Sequence, residues 1–178
     1  KYEEVVLMTA SLARLLRQSI SNEDEVVPLA REVEYAKGYL TIQKMRYKDK
    51  LEFEIDVEPS ILNIPLIKLV LQPIIENAIY HGLKYKESKG LLQVKGFMKD
   101  GNAVLQVIDN GVGMDEETLS HIYDKHKVNY HSNGVGVYNV QKRLKLYYGE
   151  NYGITYESEK GVGTTATITI PGIQEESI

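Results

Sequence analysis

Three short glycine-rich runs, and one polar face on an otherwise apolar helix, concentrate the groups in this sequence that could hold a ligand. The runs are Asp109-Asn110-Gly111-Val112-Gly113-Met114, Asn133-Gly134-Val135-Gly136-Val137 and Gly161-Val162-Gly163-Thr164-Thr165. In each, Gly-x-Gly lets the backbone turn tightly or come close to a ligand. One such pair alone is most often a turn and nothing more. None completes Gly-x-Gly-x-x-Gly, and no Gly-x-x-x-x-Gly-Lys-Ser/Thr occurs, so Rossmann and P-loop nucleotide binding are unsupported.

The first run offers more than a turn. Asp109 ends an apolar strand (Val104, Leu105, Val107, Ile108), which predicts a carboxylate at a sheet edge beside permissive backbone. A carboxylate there is costly to desolvate unless something donates to it, and the exocyclic amine of a nucleobase would do so. The alternative is that Asp109 braces its own turn. A calcium loop is excluded, because Gly111 stands where a second oxygen ligand would be needed. The second run precedes a helix, so Gly134, Gly136 and the first turn from Val137 would present free amides and a positive dipole end to a phosphate. Before it, Lys125 to Ser132 is polar and aperiodic, the pattern of a loop that closes over an anion.

The polar face belongs to a predicted helix from Leu66 to Leu83. Asn77 and His81 lie four apart, with Glu76 and Tyr80 beside them, amid Leu69, Val70, Ile74, Ile75, Ala78 and Ile79. A polar face usually meets water. An amide oxygen and a carboxylate together also suit Mg²⁺ and an ordered water.

Elements that would position these groups follow from periodicity. Val5, Met8, Leu12 and Leu15 mark one apolar helix face, and Leu29, Val33, Ala36, Leu40, Gln43 and Tyr47 a second, with Pro28 in its first turn. Such a helix pair packs either on the following domain or on a second subunit. Leu51, Phe53, Ile55 and Val57 alternate with acids as a half-exposed strand does. Pro65 is expected to open the long helix and Pro73 to bend it. Leu91 to Met98 and Ala103 to Ile108 read as a hairpin across Asp100-Gly101. A short helix starts at Asp115, another runs from Val137 to Tyr148, and a last hairpin joins Tyr152–Ser158 to Thr164–Ile170. The order predicts an α+β fold, a two-layer sandwich with helices on one face of a mixed sheet, preceded by a helical arm.

Composition narrows the function. A formal charge of −4 lacks the basic stripe that general nucleic-acid binding needs. With 43% hydrophobic and 26% charged residues the chain can build a core unaided, and without cysteine there is neither disulfide nor thiolate metal site. No apolar run reaches about 18 residues, so no membrane span is read.

Leu71-Gln72-Pro73-Ile74-Ile75-Glu76-Asn77-Ala78-Ile79-Tyr80-His81-Gly82 resembles the N box of the histidine-kinase ATPase domain, whose fold is shared with gyrase, heat-shock-chaperone and mismatch-repair ATPases. The three glycine runs resemble that superfamily's G1, G2 and G3 boxes, in its order. Tyr39-Leu40-Thr41-Ile42-Gln43-Lys44-Met45-Arg46-Tyr47 is similar to LytS/YesM-like sensor kinases. The resemblance implies a Bergerat-type fold with ATP between sheet and helices. Asp109 would accept from adenine, with Gly111, Gly113 and Thr165 around the base. Asn77 would hold Mg²⁺, with Tyr80, His81 and Lys84 near the phosphates and Glu76 orienting the reacting group. Gly134, Gly136 and Val137 would border the phosphates, and Asn139 and Arg143 would be structural. The family often has lysine where Tyr80 stands, and Lys84, one turn on, is the candidate substitute.

It further implies residues 1–49 as a helical arm from a dimerisation and phosphoacceptor region, and 50–178 as the catalytic domain. The acceptor histidine would lie on a helix preceding Lys1. A response regulator receiver domain would be the partner, and the full-length protein a homodimer. The chain would be the cytoplasmic portion of a membrane-anchored bacterial sensor. A regulatory ATP-binding module without phosphoryl transfer, and an ATP-hydrolysing clamp, are the rival readings.

Overall fold

The computed structural model describes residues 25–122 and 134–172, apart from 85 and 87. The first expected helix, from Val5 to Leu15, and the stretch Lys125–Ser132 lie outside the described residues.

Strand β1 (Val26–Pro28) leads directly into helix α1 (Leu29–Tyr47). Pro28 therefore sits one residue before the helix rather than in its first turn. Along α1, Leu29, Glu32, Ala36, Tyr39, Leu40 and Gln43 are buried, the three-four stepping of a face against a core. Strand β2 (Leu51–Val57) follows, then β3 (Pro65–Ile67), which pairs antiparallel with β1.

Here the structure differs from the sequence reading. The expected long helix from Leu66 is instead a short strand, a bend and a helix α2 that begins at Leu71 (Leu71–Asn77). Leu66 and Ile67 pair with Val27 and Val26, and Leu69 takes φ 62°, which no α-helix tolerates. Pro73 consequently falls in the third helical position, where its missing N–H would have had no intrahelical acceptor, so it does not bend the helix. The departure from α geometry comes later. Ala78–Leu83 forms a π-helical turn, closed by Lys84 N–H donating to the Ile79 carbonyl at 2.8 Å.

Strands β4 (Gly90–Lys99) and β5 (Asn102–Asp109) form the hairpin expected from Asp100-Gly101, both of which have positive φ, 51° and 78°. Helix α3 (Glu116–Ser120) is capped by Asp115, whose carboxylate accepts from Thr118 N–H at 3.0 Å. Helix α4 (Gly134–Tyr148) and the hairpin β6 (Gly153–Glu159) and β7 (Gly163–Pro171) complete the chain. The main sheet has order β2-β4-β5-β7-β6, antiparallel except for the β2–β4 pair. One core joins Leu92, Val94, Leu105, Val107, Ala166 and Ile168 of the sheet to Ile74, Ile75 and Ile79 and to Val137, Val140 and Leu144 of the helices. This is the predicted two-layer sandwich. α1 is part of it, since Leu29, Ala36, Tyr39 and Leu40 belong to the same core.

Candidate functional site

β5 is the middle strand, so its last residue lies at the end of the sheet's centre rather than at a lateral edge. Asp109 is 6% exposed there. Its Oδ1 accepts from Gly111 N–H at 2.8 Å, so the carboxylate does brace its own turn. Burial pushes the Asp109 carboxyl up to about 6, against the pull of the Gly111 and Thr164 amides and the Lys86 ammonium. One side of the carboxylate faces an open cleft of about 550 Å³ between α2 and the sheet.

Helix periodicity decides which residues of the N-box-like segment reach that cleft. Ile74, Asn77, Ala78, His81 and Gly82 line it. Glu76 and Tyr80 do not, because positions 72, 76 and 80 form a separate stripe turned toward α1. Gln72 Nε2 donates to Glu76 Oε1 at 2.9 Å, and Tyr39 of α1 is held above the ordinary tyrosine range by burial and then by neighbouring Glu76 and Tyr80. Lys84 also stands outside the cleft lining, beyond the π-helical turn. His81 lies at the cleft, its imidazole held below the usual range by partial burial and then by Lys84. Asn77 Oδ1 is buried and has no hydrogen-bond partner.

The π-helical turn brings Gly82 against the Asp109 loop. Gly82 C=O accepts from Val112 N–H at 3.0 Å, and a Cβ on Gly82 would lie 2.7 Å from Asp109 Oδ1. A Cβ on Gly111 would meet the Gly82 carbonyl carbon at 2.3 Å. Gly111 is thus a close-packing joint between the two segments, while Gly113 (φ 64°) lines the cleft.

Thr165 is a correction. Thr164 pairs with Asp109 and Ala166 with Val107, and these four line the cleft; Thr165 pairs with Ile108 and projects to the opposite face of the sheet. Thr164 is the residue beside the carboxylate. Ser158, not singled out from sequence, ties the loops together. Its hydroxyl accepts from Met114 N–H at 2.8 Å, donates to Gly163 C=O at 3.0 Å and lies 2.8 Å from Thr164 Oγ1. Gly161 N–H donates to Val112 C=O at 2.7 Å, a second tie. Strand parity from Asp109 and the hairpin register would have identified Thr164; nothing in local sequence marks Ser158 or Lys86, which donates to the Asn110 carbonyl.

Gly134, Gly136 and Val137 of the second glycine run are not among the residues that line the cleft. Gly134 begins α4, and Gly136 packs toward Pro73 of α2. Val137 is fully buried in the core, so its side chain is structural. Arg143 is structural as expected, donating to the Lys68 carbonyl at 3.0 Å, and Asn139 is exposed. Opposite α2, the cleft is walled by Met114, Glu117, Thr118, His121 and Ile122. Among the described residues no group of three His, Asp or Glu is placed to hold a metal, and no helix is long and apolar enough to cross a membrane.

A model of the histidine kinase-, DNA gyrase B- and HSP90-like ATPase family matches residues 63–174, and one described as histidine kinase matches residues 1–51. The sensor histidine kinase YesM of Bacillus subtilis is 32% identical over 169 residues, which is 95% of this chain and 28% of that protein. The sensor protein LytS of Oceanobacillus iheyensis is 34% identical over 143 residues, 79% of this chain and 24% of its own length. The chain thus spans about a quarter of the curated relatives it matches. In fold it is similar to the histidine kinase domain of a blue-light activated histidine kinase from Erythrobacter litoralis (TM-score 0.60, 16% identity, 96% of this chain and 76% of that one). The catalytic domain of histidine kinase ThkA gives a TM-score of 0.60 at 13% identity, over 84% of this chain and 97% of its own.

Proposed function

Because this chain belongs to the histidine kinase-, DNA gyrase B- and HSP90-like ATPase family, we propose that it is the ATP-binding catalytic module of a two-component sensor histidine kinase. In this reading the cleft between α2 and the sheet holds Mg-ATP, and the γ-phosphoryl group passes to a histidine on a separate upstream helix. The observation that carries it is the pairing of a buried carboxylate, Asp109, with a buried, unpartnered amide oxygen, Asn77 Oδ1, on one cleft. The carboxylate accepts the adenine amine, with Thr164 and Gly113 beside the base.

Asn77 fits Mg²⁺. A hard cation bound mainly by phosphates and waters asks one or two oxygens of the protein. Held there, Mg²⁺ would supply charge neutralisation at the phosphate oxygens, which together with positioning is what phosphoryl transfer requires. The amides at Gly134 and Gly136 begin a fifteen-residue helix, whose positive end favours the same anion. His81 lies along the phosphate path at the cleft. Glu76, on the stripe turned toward α1, is left to orient a group arriving from that side rather than the nucleotide. Tyr80 and Lys84 are not assigned phosphate contacts.

The same reading assigns residues 1–49 to the dimerisation and phosphoacceptor region and 50–178 to catalysis. It takes a receiver domain as the partner of a homodimeric, membrane-anchored bacterial sensor. Titration of the chain with a non-hydrolysable ATP analogue, in Mg²⁺ and in EDTA, tests it. Parent affinity is expected to fall in EDTA, and Asn77→Ala to bind equally weakly in both. Phosphate release without transfer to an added histidine-bearing helical segment would favour an ATP-hydrolysing clamp. Binding with neither reaction would favour a regulatory module.

A further inference from the structure

We infer that Glu32 of α1 is a positioning residue for the Mg-nucleotide site, fixing the start of the helix that presents Asn77. The inference rests on the ATP-binding reading above. Glu32 is 1% exposed, and its two oxygens accept three consecutive backbone N–H groups. Leu69 donates to Oε1 at 2.8 Å, and Val70 and Leu71 to Oε2 at 2.9 and 3.1 Å.

Those donors sit where α2 begins. Its N-cap residue is Val70, which has no side-chain acceptor, and Leu69 enters with φ 62°, an uncommon conformation for a branched side chain. A helix start normally finds a nearby Ser, Thr, Asp or Asn to satisfy its free amides. This one depends on a carboxylate 38 positions earlier in the chain. Arg143 of α4 adds a second tether, on the Lys68 carbonyl; burial pushes the Glu32 carboxyl above the ordinary range, and the three amides and then the Arg143 charge pull against it.

Asn77 lies under two turns beyond Leu71. No hydrogen bond holds its Oδ1, so where that oxygen lies depends on the helix that carries it and on the packing around it. The adenine side has other supports. Asp109 is on β5 and is held by the Gly111 and Thr164 amides, neither of which touches the α2 start. Loosening the Glu32 tether should therefore injure the phosphate and metal end of the site more than the base end.

The experiment uses the full chain, as parent and as Glu32→Gln, which keeps the shape but loses the charge and one acceptor oxygen. Each is titrated with a Mg-bound non-hydrolysable ATP analogue and with adenosine. Mg-analogue affinity is expected to fall about tenfold, within the usual range of coupling between sites, while adenosine changes by less than about twofold. A fold-only role would weaken both equally, and that result overturns the inference, as does unchanged Mg-analogue affinity in the folded variant. Coupling is reciprocal, so in the unmodified parent the Mg-analogue should also slow amide exchange at Val70 and Leu71 more than adenosine does. Equal protection by the two ligands overturns the inference even if the variant does not fold. A parent that binds no Mg-analogue refutes the nucleotide reading itself, a result the parent titration shows before any variant is made.

Discussion

Asp109 meets opposing demands, because the cleft withdraws it from water while its proposed ligand needs it ionised. Its carboxyl stands at about 6 against an ordinary 3.8, so the fold binds the proton more tightly than the unfolded chain does. A raised pKa contributes stability at low pH that is lost as pH rises through the folded value. Relative to Asp109→Asn, the ligand-free parent should lose on the order of 3 kcal/mol between pH 4 and 7, read as a difference in urea midpoints. An identical pH dependence in both proteins would mean the carboxylate is not desolvated. Nucleotide affinity should move the other way, rising up to about tenfold from pH 5 to 7 as the acceptor ionises, and staying flat in the variant. Glycine positions offer a second test at this scale. Gly113 has φ 64° and a Cβ there would lie 1.9 Å from the Glu159 carbonyl oxygen, whereas Gly161 at φ 85° has open space. Gly113→Ala should cost more than about 2 kcal/mol and Gly161→Ala about 1, by chemical denaturation. Equal costs would remove the steric argument.

At the scale of elements, the segment before α2 is held from three sides: β1 by strand pairing, Glu32 of α1, and α4 through Arg143 and Tyr148. Tyr148 Oη accepts from Ile67 N–H and donates to the Pro65 carbonyl, each at 3.2 Å, and burial pushes its phenol up to about 12. Tyr148→Phe leaves the Ile67 amide without that acceptor and should cost about 1–3 kcal/mol in thermal or urea unfolding. A change under a few tenths would mean water replaces the hydroxyl. This junction is also where the sequence misled. Leu66, Ile67, Leu69 and Val70 continue the apolar spacing of Ile74 and Ile75, so periodicity reads one helix. What breaks it is pairing with Val26 and Val27, a partner about forty residues away that no local pattern announces. The hairpins were legible because Asp100-Gly101 and the alternating strands encode turn and face locally. The strand end at Asp109 and the turn through Gly111 and Gly113 were legible for the same reason. Thr165 was misplaced by one residue, which in a strand exchanges the two faces. Asn77 and His81 share the face that the cleft takes, while the adjacent stripe of Glu76 and Tyr80, assigned to the same site from sequence, lies outside its lining.

Across the whole molecule, the sandwich brings the ends of the central strands, α2 and α3 around one cleft, so that the proposed nucleotide is gripped by residues far apart in sequence. The four histidines of the chain are His81, His121, His126 and His131. His81 and His121 line the cleft itself, and His126 and His131 lie outside the described residues. In-line attack needs the nucleophile fixed within about 3–3.5 Å of phosphorus, on the side opposite the leaving group, and the proposed acceptor is a histidine presented by a separate helix. Incubated alone with labelled Mg-ATP, the chain should bind nucleotide without forming acid-labile phosphohistidine on these four residues; label on any of them would relocate the acceptor into this chain. The central claim is nucleotide recognition by the buried carboxylate, and it is tested most directly by calorimetric titration of parent and Asp109→Asn with a non-hydrolysable ATP analogue at pH 7.5 or so, about 1.5 units above the carboxyl's folded value. Loss of a charge-assisted hydrogen bond should weaken binding by ~1.5–3 kcal/mol, about 10- to 150-fold, in a variant that remains folded. Equal affinities in parent and variant would contradict it.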